Sequence, residues 1–306
     1  MGIAEAIILS VIVASTPLLL AALGELVAER SGVLNLGVEG MMIMGAVTGF
    51  IATVETGNPF AGIIASILAG MAMATLFAFL TLGLVANQVA TGLALTLLGT
   101  GLSGVVGESY ASRAGIALAK IHIPGLTDIP FVGQILFGQD PLVYVTVVLT
   151  IAVSWFLFRS RGGLIVRAVG DNHNAAHALG YSVIRVRFLA TLFGGACAGL
   201  AGAYLSLVST TQWLDNMTNG RGWIALALVV FSTWLPWRLA LGALLFGAVG
   251  ILQFHAQAIG VRVPSQFLSS LPYLLTVIVL VIISGNRILV RANTPTMLGQ
   301  SFVADR

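Results

Sequence analysis

Charge is what this sequence has least of. Only 8% of its 306 residues are Asp, Glu, Lys or Arg, whereas a soluble globular domain carries about 25%. Hydrophobic residues make up 58% of the chain, and the mean hydropathy is +1.02. So much apolar surface cannot all face water, which excludes an ordinary soluble protein. Because apolar segments recur along the whole length, we expect one polytopic transmembrane domain over residues 1–306.

Cysteine is nearly absent as well. The single Cys197 excludes an internal disulfide and lies among Gly and Ala, where it is expected to be a small packing residue. The sequence has no metal-ligand spacing, no catalytic grouping and no phosphate-binding loop. It also lacks a basic patch with interleaved aromatic residues, which is typical of nucleic-acid binding. We therefore predict no catalytic residue, no metal and no nucleic acid, and any ATP hydrolysis must occur in another chain.

Long apolar stretches are what the sequence does contain. A membrane helix needs about 20 apolar residues, and this criterion predicts an all-α bundle of about nine spans. The predicted spans are 3–27, 37–53, 60–82, 89–107, 141–158, 188–208, 222–235, 239–257 and 271–285. The first is expected to be a true span because no positive region precedes it, as one would in a cleaved signal. The stretch 28–40 is either a plain loop or a broken, re-entrant helix.

Basic residues predict the orientation of these spans. The loop 159–187 holds five of the 14 Lys and Arg residues, and basic loops accumulate on the cytoplasmic side. Counting crossings from it predicts an external N-terminus and a cytoplasmic C-terminus, with 10 basic residues inside and 4 outside. The Pro- and Gly-containing stretch 109–140 is then an external loop, which we expect to pack as a cap.

The centre of the basic loop has a pattern of its own. Residues 171–179 are rich in Ala and Asn with a helical pattern, and Gly180 follows them. A short cytoplasmic helix between two membrane spans suggests a docking element for a soluble partner.

Placing a polar side chain inside a membrane costs free energy, so each polar residue near or within a predicted span requires a structural or functional explanation. The first such group is Glu25, Glu29, Arg30, Asn35 and Glu39. Asn35 and Glu39 are four residues apart and would share a helix face. They are either a helix cap with a buried hydrogen bond or a polar patch beside a translocation path.

A second polar group, Asn87, Gln88 and Thr91, opens the fourth span. Adjacent amides either bind a polar solute or tie down broken helix ends. A third polar group, at 215–223, is interpreted as an external loop. A fourth group, Gln253, His255 and Gln257, is interpreted as packing residues.

Glycines spaced four apart predict close helix packing. Gly45 and Gly49 form one pair, and Gly195 and Gly199 form another. Small residues at this spacing let membrane helices approach closely.

Five blocks in order resemble a known family. They are GELVAERSGVLNLGVEGMMIMGA, ANQVATGLALTLLGTGL, RAVGDNHNAAHALGYSV, NMTNGRGWIALALVVF and LPYLLTVIVLV, which begin at residues 24, 86, 167, 216 and 271. Together they resemble the permease of an ATP-binding-cassette (ABC) importer of the group serving branched-chain amino acids, simple sugars and nucleosides. Within the group, the chain is most similar to the smaller permease of a nucleoside importer.

The resemblance implies a type II importer bundle, multi-pass in the cell membrane, without a cofactor of its own. The implied partners are a second permease subunit, an ATP-binding-cassette ATPase that binds the ATP, and an extracellular substrate-binding lipoprotein. Residues 167–181 would form the coupling helix that docks on the ATPase. Its matching residues are Arg167, Gly170, Asp171, Asn172, Ala175, Ala176 and Gly180. The sequence departs from the family pattern at His173, His177 and Ser232.

The resemblance also places the translocation path between two permeases. Our candidates for its lining are Asn35, Glu39, Asn87 and Gln88, because amides can address ring nitrogens and ribose hydroxyls. Nucleosides are the predicted substrate, and simple sugars or branched-chain amino acids are the alternatives. A stand-alone secondary transporter is a further alternative, although a proton relay would require several buried carboxylates or histidines.

Overall fold

The computed structural model describes residues 2–111, 113–127, 129–130, 132–258, 265–284 and 293–303. All regular secondary structure in these residues is helical, which confirms the predicted all-α fold. The α-helices are α1 Ile3–Arg30, α2 Val38–Thr56, α3 Pro59–Ala78, α4 Gln88–Gly107, α5 Val132–Phe137, α6 Pro141–Arg159, α7 Arg161–Asp171, α8 His173–Ala178, α9 Val183–Tyr204, α10 Arg221–Phe231, α11 Pro236–Ala258 and α12 Ser265–Ser284. π-Helical turns at Phe79–Gly83 and Leu205–Ser209 extend α3 and α9, and a 3-10 turn at Glu108–Tyr110 extends α4.

Six helical stretches of the described residues are long and apolar enough to cross a membrane. They are Ala4–Arg30, Val38–Thr56, Pro59–Gly83, Gln88–Tyr110, Pro141–Arg159 and Val183–Ser209. Each coincides with one of the first six predicted spans. The remaining three predicted spans fall on α10, α11 and α12, whose apolar stretches are shorter.

The stretch between α1 and α2 is a buried break. Residues 31–37 are not helical, yet the chain buries most of them. A Cβ atom added to Gly92 would lie 2.7 Å from the Leu36 nitrogen, so Leu36 lies against α4 about one turn from its start. Of the two alternatives for 28–40, the structure therefore shows the broken helix that re-enters the bundle.

Glycines hold α2, α3 and α9 together at close range. A Cβ atom on Gly45 would lie 2.5 Å from Gly199 Cα, and a Cβ on Gly70 would overlap the Gly195 carbonyl oxygen. The backbones of α2 and α3 thus touch α9 directly. This confirms the close helix packing predicted from the spacing of these glycines.

The segments predicted to be cytoplasmic meet at one end of the bundle. The Arg30 guanidinium donates to the carbonyls of Trp234 and Asn293, at 3.0 and 2.9 Å. The Met297 amide donates to the Gly170 carbonyl at 2.9 Å. The predicted internal segments therefore share one end of the fold, although the side of the membrane that this end faces stays a prediction.

Segments predicted to be external meet at the opposite end. Arg113 forms an ion pair with Glu55 at 3.0 Å, and the Gly115 amide donates to the Thr211 carbonyl at 3.2 Å. The stretch that follows α4 accordingly packs against the ends of its neighbours, while its external position and its role as a cap stay predictions.

α10 is shorter than the span predicted at 222–235. It has 11 residues, which span about 16 Å, roughly half of a hydrocarbon core of about 30 Å. Its N-terminus packs on Glu39 of α2, and the preceding Trp213 is buried against Gly107 of α4. The chain after α9 therefore descends into the bundle before α10 begins, so it is not the plain external loop that we predicted.

Candidate functional site

Two short helices, α7 and α8, project at the predicted cytoplasmic end. The Ser160 side chain caps α7 by accepting from the Gly163 amide, and Asn172 caps α8 by accepting from the Ala175 amide, both at 3.0 Å. Gly180 follows α8 with φ of +87°, a conformation that glycine adopts most easily. The expected short helix and its Asn172 cap are present. α7 was not predicted as a helix of its own, because 159–187 was interpreted as a basic loop. The coupling helix that the resemblance implies over 167–181 is divided at Asn172, between the end of α7 and α8.

The predicted coupling residues divide by exposure. Asp171, Asn172, Ala175 and Gly180 are exposed, Arg167 is half-buried, and Gly170 and Ala176 are buried. A Cβ atom on Gly170 would overlap the Arg30 carbonyl oxygen. Gly170 therefore lets α7 approach the break after α1 and has no free surface to offer a partner.

The sequence analysis did not single out Leu179, the most exposed large apolar residue at this end. Leu179, which follows α8, is 78% exposed, and Tyr181 beside it is 42% exposed. Exposed apolar side chains that lie together, as Leu179 and Tyr181 do, mark a candidate contact surface for a protein partner. The local signal was visible in the sequence, since Leu179 interrupts a run of small and polar residues.

Three charges surround the junction of α1 and α7. The guanidinium groups of Arg30 and Arg167 lie 5.8 and 5.3 Å from the centre of the Phe158 ring, within range of a cation–π contact. Partial burial raises the pKa of Asp171, and the positive charges of Arg30 and Arg167 act in the opposite direction. This cluster fixes the start of α8 relative to the membrane helices.

The C-terminal segment lies under α7 and α8. The Gly299 amide donates to the Gly32 carbonyl at 3.1 Å, in line with the bond between Met297 and Gly170. The Phe302 ring is only 8% exposed and meets the rings of His173 and His177 edge-on, at 5.2 and 5.3 Å. The two histidines at which the sequence departs from the family pattern therefore hold the tail.

Arg187 joins the elements of this end. It is fully buried and donates to the carbonyls of Ser31 and Gln300, at 3.2 and 2.8 Å. Its third contact is His173 Nδ1 at 3.1 Å. An arginine can only donate, so Nδ1 accepts and His173 is neutral. Burial, and to a smaller extent the charge of Arg187, lower the pKa of His173.

Polar side chains satisfy the backbone of the break between α1 and α2. The Leu34 amide donates to Gln88 Oε1 at 2.8 Å, and the Asn35 amide donates to Glu25 Oε1 at 3.0 Å. Thr96 donates to the Leu36 carbonyl at 3.0 Å. Backbone groups inside a membrane must find such partners. For Gln88, the structure thus shows the second of our alternatives, an amide that ties down a broken helix.

Two polar atoms beside this break have no hydrogen-bond partner among the described residues. They are Glu25 Oε2 and Gln88 Nε2, both fully buried.

Glu39 holds the N-terminus of α10. Its two carboxylate oxygens accept from the amides of Gly220 and Gly222, at 2.8 and 2.5 Å. A negative charge is favourable at a helix N-terminus, where backbone amides are unpaired. Glu29 acts similarly at the other end of this helix, accepting from Trp234 Nε1 at 2.6 Å. Glu39 and Glu29 of the first polar group therefore bind at the two ends of the short helix α10.

Only one predicted path residue reaches the surface of the subunit. Asn35, Glu39 and Gln88 are buried, whereas Asn87 is exposed and caps α4 by accepting from the Ala90 amide at 3.0 Å. The side chains of Gln253, His255 and Gln257 lie outside the described part of the chain. The role of Asn35, Glu39, Asn87 and Gln88 in a path stays a prediction.

The profile of one protein family matches almost the whole chain. This family is described as the permease component of the branched-chain amino acid transport system, and the match covers residues 7–284. The chain belongs to this family. The permease is therefore a transport subunit of an ABC importer, not an enzyme, and a multi-pass protein of the plasma membrane. Permeases of this kind work with an ATPase and another permease subunit.

Three relatives are similar over nearly their full length. A putative glucose ABC transporter permease of Haloferax volcanii is 40% identical, and the alignment covers 99% of this permease and 98% of the relative. A guanosine ABC transporter permease of Bacillus subtilis is 32% identical, with 97% of each chain covered. A nucleoside ABC transporter permease of Lactococcus lactis subsp. cremoris is 30% identical, with 94% of this chain and 95% of the relative covered.

A solved structure has the same fold. It is an inward-facing conformation of a putative metal-chelate type ABC transporter, with a TM-score of 0.52 and 17% sequence identity. The likeness covers 90% of this permease and 85% of that chain. At this identity the likeness shows the fold alone, in agreement with the importer-type bundle expected from the sequence.

Proposed function

We propose that this permease carries nucleosides into the cell, as half of a translocation path between two permease subunits. The ATPase docks on α8 from the cytoplasm, and an extracellular binding lipoprotein delivers the solute. The observation that carries the docking proposal is the exposed tip of α8, where Leu179 projects beside the small and polar residues Asn172, Ala175 and Gly180.

The inner side of α8 is suited to transmit force to the membrane helices. Ala176 is buried, and Arg187 of α9 contacts His173 at the start of α8. Through Arg187 the same helix is tied to Ser31 in the break after α1. A displacement of α8 by the ATPase would therefore reach α9 and α1 directly, because packed elements move together.

The docking proposal is tested by Leu179→Asp, which places a charge on the exposed tip without touching the buried contacts. We expect loss of the ATPase during purification and loss of ATP-dependent uptake, with normal insertion. The matched control is Val303→Asp, an apolar residue of the same end that is 67% exposed but lies on the tail. Retention of the ATPase by Leu179→Asp, or equal losses in both variants, would contradict docking on α8.

The substrate is proposed from two relatives that are named for nucleosides or guanosine and are 30–32% identical. Glucose is the second candidate, because the putative glucose permease of Haloferax volcanii is 40% identical. Nucleosides and glucose both contain a ring that carries hydroxyl groups. The test is uptake of labelled guanosine, uridine, glucose and leucine by cells with and without this gene. Loss of nucleoside uptake alone supports the proposal. Loss of glucose uptake instead would show that the substrate is a sugar, and loss of leucine uptake would show that it is an amino acid.

A further inference from the structure

An apolar groove lies between α6 and α9. These two helices both pack on α1, and between them remains a cavity of about 430 Å³. Val27 of α1 forms part of its wall, and α7 closes it towards the predicted cytoplasmic end. Every residue that lines the groove is apolar or glycine: Val27, Leu149, Ala152, Val153, Phe156, Gly162, Ile165, Val166, Val186, Leu189, Ala190 and Phe193. A polar solute would find no hydrogen-bond partner there.

The shape of the groove fits a hydrocarbon chain. Its lining runs from Leu149 to Phe156 on α6 and from Val186 to Phe193 on α9, which corresponds to about 10 Å along each helix. One leaflet of the hydrocarbon core is about 15 Å thick. The groove opens between outward faces that carry the exposed Ile151 and the exposed Leu189, so its opening lies on the apolar outer surface of the subunit.

Positive charges stand at the end of the groove near α7. Arg161 directly precedes the lining residue Gly162, and Arg185 directly precedes the lining residue Val186. Both arginines are exposed. No Asp or Glu occurs in 141–170 or 172–214, so no carboxylate of these segments neutralises them.

α7 has the character of a helix that lies in the membrane interface. It begins with Arg161, exposes Leu164 on one side and buries Val166 and Val169 on the other. The two valines pack inside the protein, so Arg161 and Leu164 are the residues of this helix that remain to meet headgroups and acyl chains at the membrane boundary. The exposed Trp155 on α6 is an aromatic residue of the kind that is enriched at this level.

We propose that the groove binds one acyl chain of an anionic phospholipid of the cytoplasmic leaflet, whose phosphate is held by Arg161 and Arg185. The cytoplasmic leaflet carries the negative surface charge that complements these arginines. The proposal rests on the predicted orientation of α7 and is independent of the transported solute. A lipid seated there fills the gap between α6 and α9 and steadies α7, which leads directly into the docking helix α8.

The test is native mass spectrometry of the transporter, purified with its partner subunits, in the presence of equal amounts of dioleoyl-phosphatidylglycerol and dioleoyl-phosphatidylcholine. These lipids share their acyl chains and differ in headgroup charge. We expect the phosphatidylglycerol to be retained with roughly 25-fold preference, since each of the two arginines near an anionic headgroup contributes about a fivefold gain in affinity. The double variant Arg161→Gln/Arg185→Gln should lose this preference and keep the weaker phosphatidylcholine binding.

A second variant tests the groove itself. Ala152→Trp fills it and should abolish retention of both lipids. Its control is Ala94→Trp, an exposed alanine of another membrane helix, and the control for charge is Arg113→Gln/Lys120→Gln at the opposite end. Equal retention of the two lipids by the unmodified protein, or normal retention by Ala152→Trp, would overturn the proposal. It also fails if Ala152→Trp, unlike Ala94→Trp, prevents assembly with a partner subunit, because the groove is then a protein interface.

Discussion

At the residue scale, the polar side chains of this membrane protein mostly serve its own irregular backbone. Glu25 and Gln88 hold the break after α1, and Glu39 holds the start of α10. The sequence correctly indicated that each of these polar side chains has a structural or functional role. It could not indicate the partners, because Glu39 and Gly222 are separated by 183 residues and no local pattern relates them.

Glu39 should be far more important for stability than a surface glutamate. Glu39→Ala leaves the buried Gly222 amide and the part-buried Gly220 amide without acceptors, and a fully buried group of this kind costs about 1–3 kcal/mol. We expect the free energy of unfolding to fall by about 2–4 kcal/mol, measured by denaturant titration in mixed micelles. The control is Glu55→Ala, whose ion pair with Arg113 is half-exposed and should contribute little. Equal losses in the two variants would show that Glu39 does not cap α10.

His173 predicts a pH dependence of the C-terminal segment. Its lowered pKa means that the folded state binds fewer protons here than the unfolded state, which has a pKa of about 6.5. The stabilisation is therefore complete above about pH 6.5 and is lost as the pH falls through the lowered pKa. Below it, the protonated ring opposes Arg187, and the amides of 297–303 should exchange hydrogen faster.

The variant His173→Asn serves as the control for this effect. Its side-chain oxygen can replace Nδ1 as the acceptor for Arg187 and does not titrate in this range. Hydrogen exchange of the tail should then be independent of pH beyond the intrinsic chemical rate. A pH response that persists in His173→Asn would assign the effect to another group.

At the element scale, the sequence predicted the six long helices and the short helix α8, but it missed α7 and made α10 too long. The six long spans follow from apolar runs and the helix α8 from the composition of 171–179, whereas the break at 31–37 was one of two alternatives left open for 28–40. α7 and the tail depend on contacts between distant segments. Arg187, for example, joins Ser31 and Gln300, which are 156 and 113 residues away along the chain. The half-length α10 was extended in error because apolar residues continue beyond its end at Phe231.

Gly199 should tolerate no side chain. A Cβ atom there would overlap the Ser66 carbonyl oxygen of α3, and forced overpacking costs about 1–3 kcal/mol. Gly199→Ala should therefore lower the thermal stability of the purified protein. Gly101→Ala is the matched change on α4, where a Cβ meets nothing within 4 Å, and it should be neutral or stabilising because Ala favours a helix. The same loss in both variants would contradict the close contact of α3 and α9.

At the scale of the whole molecule, the two ends of the bundle carry different chemistry. One end joins the break after α1, the helices α7 and α8 and the tail, and the other joins the end of α2 to the segments that follow α4 and α9. Basic residues are concentrated at the first end, which the positive-inside rule assigns to the cytoplasm.

This orientation is testable by labelling with a membrane-impermeant maleimide. The native Cys197 is buried and would be replaced by Ala. In that background, Lys120→Cys should be labelled in intact cells, whereas Val303→Cys, at an exposed position outside the proposed docking surface, should be labelled only after the cells are permeabilised. The reverse pattern would invert the assignment of both ends.

The central claim is that this permease carries solute only when an ATPase acts on α8. The most direct measurement is uptake of labelled nucleosides by proteoliposomes that contain the complete transporter, with and without ATP, for the unmodified permease and for Leu179→Asp. The account predicts ATP-dependent uptake that Leu179→Asp abolishes. Uptake by the permease alone, without ATPase or ATP, or full uptake by Leu179→Asp, would contradict it.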